Sequence, residues 1–166
     1  MLKSIRKNLH KAILVAKFLK EINETFNPTT KEVLFYTDGL PVVLANEALE
    51  YKFNIPKHFP GAMITQKIKG TNYIMVNDGL LKAPKHILEA IIQHEVGHVK
   101  CKHLSGAVAI YKNLRHGRNI NHEFEADLYS QKTTGNMIEA LEYLKSHRIY
   151  NNSELNLRID MLKESL

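Results

Sequence analysis

The chain has one cysteine in 166 residues, Cys101. An intramolecular disulfide is therefore impossible, and nothing implies an oxidising compartment. Internal repeats and low-complexity tracts are missing, which excludes fibrous and solenoid architectures. Long apolar runs are missing too. The longest, Ala12-Ile13-Leu14-Val15-Ala16, falls far short of the ~20 residues that cross a bilayer. The basic start has the charge of a leader peptide, but Lys17 interrupts the apolar stretch and no small-residue cleavage pattern follows. A soluble, cytoplasmic chain is the expectation, with secretion left open. Hydrophobic residues at 44% and charged residues at 24% are ordinary for a globular protein, and the length suits one domain over residues 1–166.

Acidic residues are absent from the first twenty positions, which hold Lys3, Arg6, Lys7, Lys11, Lys17 and Lys20. The rest of the chain balances at 17 cations and 17 acids, so the net charge of +6 belongs to this segment. Leu2, Ile5, Leu9, Ala12, Ala16 and Leu19 recur at helical spacing, broadened by Ile13, Val15 and Phe18. A basic amphipathic helix over roughly 2–24, within an N-terminal segment 1–26, is expected to pack its apolar face on the domain and leave its cations in water. Nucleic acid or an anionic membrane surface is the less favoured partner of that face.

What the chain does have is His94-Glu95-Val96-Gly97-His98. Residues four apart on a helix project from one face, so two imidazoles so placed can share one tetrahedral Zn²⁺. Glu95 then lies beside a metal-activated water, where a general base belongs. Pro84 suits a first turn, and Ile87 to Ile92 continue a helical pattern. Gly97 costs a helix about 1 kcal/mol relative to Ala, an oddity unless something must approach its backbone closely. Downstream, Glu123-Phe124-Glu125-Ala126-Asp127 offers a third ligand at Glu123, with Asp127 on the same face and Glu125 pointing away. A glycine and a third histidine at metzincin spacing are absent, their positions being Cys101 and Leu104. With the helix running to about Leu104, His103 lies well round from the metal-facing side, a solvated or supporting group rather than a ligand. Cys101 is expected to be a buried helix-face thiol.

These segments resemble the HtpX/CaaX-protease group of zinc metallopeptidases and their soluble relatives, the minigluzincins. The motif H-E-V-G-H-V-K-C-K-H resembles the group's metal helix, and Glu123 to Asp127 its E-x-x-A-D segment. The resemblance implies a gluzincin: one Zn²⁺ per chain on His94, His98 and Glu123, with Asp127 supporting a ligand histidine through a hydrogen bond, and Glu125 doing neither. A carboxylate in that position fixes the tautomer and raises the basicity of the imidazole. Weaker likeness extends over Pro60 to Met63, Tyr73 to Leu81, and the L-x-x-R-I-x-x-L pattern of Leu155 to Leu162. By the same resemblance Arg158 is the first choice for stabilising the oxyanion. His116, His122, Tyr111 and Tyr129 are weaker choices. Asn152 stands where the group commonly has a histidine.

Strand-like runs at Val33–Tyr36, Val42–Ala45, Ala62–Gln66 and Tyr73–Asn77 precede a mainly helical second half, with turn signals at Asp38-Gly39 and Lys69-Gly70. This order predicts an α+β zincin-like domain with a small, mostly antiparallel sheet beside the helices. The second-half helices are the metal helix, one ending near Gly135, one over 137–147 capped by Asn136 with Glu139, and one after Ser153. The stretch 105–120 reads as a solvated loop, less favourably as a lid or rim. Tyr73, Ile74, Met75, Val76 and Asn77 are the expected substrate-binding strand, pairing with an extended peptide. The activity expected is peptide-bond hydrolysis by zinc-activated water with Glu95 as base, on a peptide or protein substrate. Two alternatives stand beside it: a regulatory peptidase of the ImmA/IrrE type that cuts a repressor, which more often carries Asn at position 127, and a non-catalytic zinc-stabilised module that binds through its basic helix.

Overall fold

A computed structural model of the chain describes residues 32–65, 72–103, 119–147 and 151–166, with the isolated helical positions Ile13 and Lys17. Apart from those two positions, the expected N-terminal helix lies outside the described residues. So do the Lys69-Gly70 turn, most of the 105–120 loop, and His116 and Tyr111.

The sheet is built from β1 (Val33–Thr37), β2 (Leu40–Leu44), β3 (Ala62–Thr65) and β4 (Tyr73–Val76) in the order β1-β2-β4-β3. β1 and β2 form an antiparallel hairpin. Its two-residue turn takes positive φ at both Asp38 (48°) and Gly39 (76°), the handedness that matches strand twist and that Asp-Gly adopts readily. β2 pairs with β4 in parallel, and β3 with β4 antiparallel. The sheet is thus mixed, with two of its three pairings antiparallel. The parallel step needs a crossover, and helix α1 (Asn46–Phe53) supplies part of it.

The α+β expectation holds. Helices α2 (Asp78–Leu81), α3 (Lys85–Lys100), α4 (Ile120–Thr134), α5 (Met137–Ser146) and α6 (Asn152–Glu164) follow the sheet. One core joins the layers. Val42, Ile74 and Val76 from the sheet meet Ile87, Ile91 and Val96 of α3, Leu141 of α5, and Leu155, Ile159 and Leu162 of α6. Each such side chain contributes about 1.5–3 kcal/mol when fully buried.

Three local expectations are corrected. Tyr73 to Val76 is not a strand open to a peptide: β4 is central, hydrogen-bonded on both sides and wholly buried. Asn77 is committed as well. Its Oδ1 accepts from the N–H groups of Gly61 and Leu80, both at 3.0 Å, and its Nδ2 donates to the Phe59 carbonyl at 2.6 Å. Asn136 makes no side-chain cap for α5. Gln131 reaches over from α4 instead, its Oε1 accepting from Met137 and Ile138 at 2.8 and 3.2 Å. Any acceptor near the orphan N–H groups can cap a helix, and a neighbouring helix was closer.

Candidate metal centre

The site lies where α3 and α4 cross. Gly97 makes the crossing possible: a Cβ there would sit 2.9 Å from Ala126 Cα and 3.0 Å from its carbonyl oxygen. This is the close approach that a glycine in mid-helix implied. One helix turn and more away, Ser130 Oγ donates to the Ala90 carbonyl at 2.7 Å. Ala126 and Ser130 share a face of α4 with Glu123 and Asp127, at spacings of three, four and seven. The same seam that packs the helices therefore delivers the carboxylates to α3.

His94, His98 and Glu123 converge. The two Nε2 atoms are 3.1 Å apart, and Glu123 places Oε2 3.5 Å from His94 Nε2 and Oε1 3.6 Å from His98 Nε2. A tetrahedral zinc with bonds of about 2.0–2.2 Å has donor–donor edges of about 3.3–3.5 Å. The three separations bracket that edge, and all three residues are largely buried, so the donor set fits a zinc ion. Glu95, next to His94 on α3, is 8% exposed.

Charges around the donors are arranged for a cation. Burial alone would push the His94 imidazole down, but the Asp127 and Glu123 carboxylates overcome it and hold it up at about 9. Burial and the neighbouring His94 push His98 down to about 3. Burial would raise Glu123, yet His94 and Arg158 hold it well below the ordinary carboxylate range. Asp127 is depressed against its burial by the same two partners. The buried carboxylates here outnumber the one buried guanidinium, Arg158, so the surroundings of His94 and His98 favour a cation.

Asp127, fully buried, lies with Oδ1 2.7 Å from His94 Nδ1. The contact is short without being well aligned as a hydrogen bond. Behind it Arg158 forks onto the same carboxylate, Nε donating to Oδ2 at 2.7 Å and Nη2 to Oδ1 at 2.6 Å. Arg158 Nη1 also lies 3.3 Å from Glu123 Oε2. Burial disfavours the guanidinium charge, but Asp127 and Glu123 hold its pKa above the usual arginine value. At 3% exposure, Arg158 faces these carboxylates, and its contacts are those of a holding residue. Asn152 is exposed on the first turn of α6. Tyr129 packs partly buried against the core.

The end of α3 departs from expectation. The helix stops at Lys100, and Lys102 turns left-handed at φ 61°. The Lys102 N–H bonds to the Val99 carbonyl and the His103 N–H to that of His98, at 3.1 and 3.0 Å, the paired bonds of a Schellman stop. The chain folds back, and His103 returns over the last turn instead of continuing round it. It is 4% exposed, with Nδ1 2.9 Å from His98 Nδ1 and Nε2 2.7 Å from Glu125 Oε2. His122 stacks on it, ring centroids 4.3 Å apart and planes within 5°. Cys101 is exposed rather than buried, though partial desolvation of its sulfur and the Glu125 charge raise its thiol pKa. Sequence reasoning missed the contact between His103 and Glu125. No glycine or asparagine marks the stop at Lys102, so the sequence carried no signal for it.

Residues 62–122 match the family model of peptidase family M48. The match covers just over a third of the chain, takes in His94 to His98, and stops one residue before Glu123. It supports a metallopeptidase of the zinc-dependent kind. No curated protein and no solved structure matches the chain. Among the described residues, no helix is long and apolar enough to cross a membrane.

Proposed function

We propose that the protein is a gluzincin endopeptidase that hydrolyses peptide bonds with one zinc ion held by His94, His98 and Glu123. The observation that carries this reading is the convergence of three buried donors at the edge lengths of a zinc tetrahedron. When bound, zinc supplies a Lewis acid that makes water acidic enough to deprotonate near neutral pH. Glu95 is the general base: it takes the proton of the attacking water and delivers it to the leaving amine. Glu95 follows His94 directly on α3 and is buried, which supports this role. Asp127 orients His94, and Arg158 holds Asp127 and Glu123. The contacts of Arg158 favour that holding role over oxyanion stabilisation. An extended peptide substrate would pair with β3, the sheet edge that packs against α3, in place of the buried β4.

Two measurements test the reading. Purified wild type should carry one zinc per chain, and Glu123→Ala should lose it while Glu125→Ala keeps it. In a peptide-library digest, Glu95→Gln should retain fold and zinc and cleave nothing. Cleavage by Glu95→Gln at the wild-type rate removes the mechanism, and zinc without proteolysis in the wild type favours a binding module.

A further inference from the structure

The second ligand histidine has its own support, and it is not a carboxylate in direct contact. We infer that His103 and Glu125 form a relay that fixes the tautomer and ring orientation of His98. This rests on the reading of His98 as a metal ligand through Nε2.

The tautomers follow by elimination. An imidazole that offers the Nε2 lone pair to a metal carries its proton on Nδ1. His98 Nδ1–H must then donate, and the atom it meets at 2.9 Å is His103 Nδ1. His103 Nδ1 must accept, so the His103 proton sits on Nε2. That N–H points at the Glu125 carboxylate at 2.7 Å. Each donor meets an acceptor and no nitrogen is left with the wrong proton. Glu125 polarises His103, and His103 in turn makes His98 a better ligand.

Two features hold the relay in place. The stop at Lys102 brings the residue two beyond the helix cap against the residue three from its end, where a hydrophobic contact usually forms. Here the pair is His103 and His98. The stacked His122 ring then fixes the plane of His103.

Cys101, His103 and Glu125 also lie close enough to be considered as a second metal site. Distance decides against it. The His103–Glu125 contact of 2.7 Å has hydrogen-bond length, whereas donors sharing a tetrahedral ion stand about 3.3–3.5 Å apart. Glu123 keeps the longer spacing from both imidazoles of the primary site, at 3.5 and 3.6 Å, whereas Glu125 closes onto His103 at 2.7 Å.

The test uses the zinc-loaded full chain. Nitrogen-15 NMR of the histidine rings should show His98 as the Nδ1–H form and His103 as the Nε2–H form, with the His98 ring proton slow to exchange. His103→Phe keeps the stacking ring but accepts no hydrogen bond. It should lose the protected His98 proton and weaken zinc binding by about 10- to 100-fold in chelator competition. Glu125→Ala should weaken zinc several-fold, and Glu125→Gln, which can still accept from His103, should restore most of that loss. Because Glu125 is half exposed, these two variants carry the test if His103→Phe does not fold. Wild-type zinc affinity in both His103→Phe and Glu125→Ala, with an unchanged His98 signal, overturns the relay while leaving the ligand assignment intact. Two zinc ions per chain, the second lost in Cys101→Ser, overturns it in favour of a second site. A wild type that binds no zinc overturns the ligand assignment itself, and the relay with it.

Discussion

The two histidines proposed as zinc ligands stand one helix turn apart, yet they are held in opposite ways. His94 leans on a carboxylate with no exposure, itself forked by a buried arginine from a third helix. His98 leans on a neighbouring imidazole beyond the helix stop, and that imidazole leans on a half-exposed glutamate. The first arrangement ties α3, α4 and α6 together through full charges in a low-dielectric interior. The second ties the last turn of α3 to the surface of α4 through imidazoles that end on a carboxylate near water. The same task, orienting an imidazole, is thus joined to global stability on one side and separated from it on the other. Buried charges cost too much to be left unpaired, whereas surface groups can be altered without unfolding the chain.

The sharpest way to break this contrast is Arg158→Ala. It strands the Asp127 carboxylate in the core and should destabilise the metal-free protein by about 3–5 kcal/mol, measured as a urea midpoint. A loss below 1 kcal/mol would mean that the two halves are alike. Asp127→Ala comes next, and zinc competition should read an affinity about 10- to 100-fold weaker. Gly97→Ala pushes a methyl group into the Ala126 backbone and should cost about 1–3 kcal/mol, as overpacking does. The loss should appear in thermal melts with and without zinc. The smallest effect belongs to Glu125→Ala. Its unfolding free energy without metal should stay within about 0.5 kcal/mol of wild type, as surface substitutions do. A larger drop there would make the His98 side as structural as the other.

Much of this was legible in the chain. The four strands begin and end within two residues of the expected positions, because short runs of β-branched and aromatic residues and the Asp38-Gly39 turn are local signals. Gly97 announced a close approach to its own backbone, and Ala126 makes it. Sheet order was not legible. Nothing in Tyr73 to Val76 distinguishes a central strand from an edge except its unbroken burial, and a short apolar run fits both. The cap of α5 escaped for a related reason: Gln131 belongs to the preceding helix, and its reach depends on how the chain turns at Gly135. The buried place of His103 was hidden because helical phase was extended through Lys102, a residue type that rarely takes positive φ. Arg158 and Asp127 were named separately, and their fork is a tertiary fact that spacing along the chain does not encode.

The crossing at Gly97 has a consequence for which ions the site would accept. Ala126 lies three residues past Glu123 and directly before Asp127, so the contact of the two backbones sets how near the carboxylate comes to the imidazoles. A missing methyl group acts as a gauge of bite. Ions with bonds of about 2.0–2.1 Å need the helices this close, while calcium, with bonds of about 2.3–2.6 Å, does not. Widening the gap by one methyl should therefore penalise small ions more than large ones. Metal selectivity, usually credited to the ligand atoms, would here be shared by a residue that has no side chain to offer.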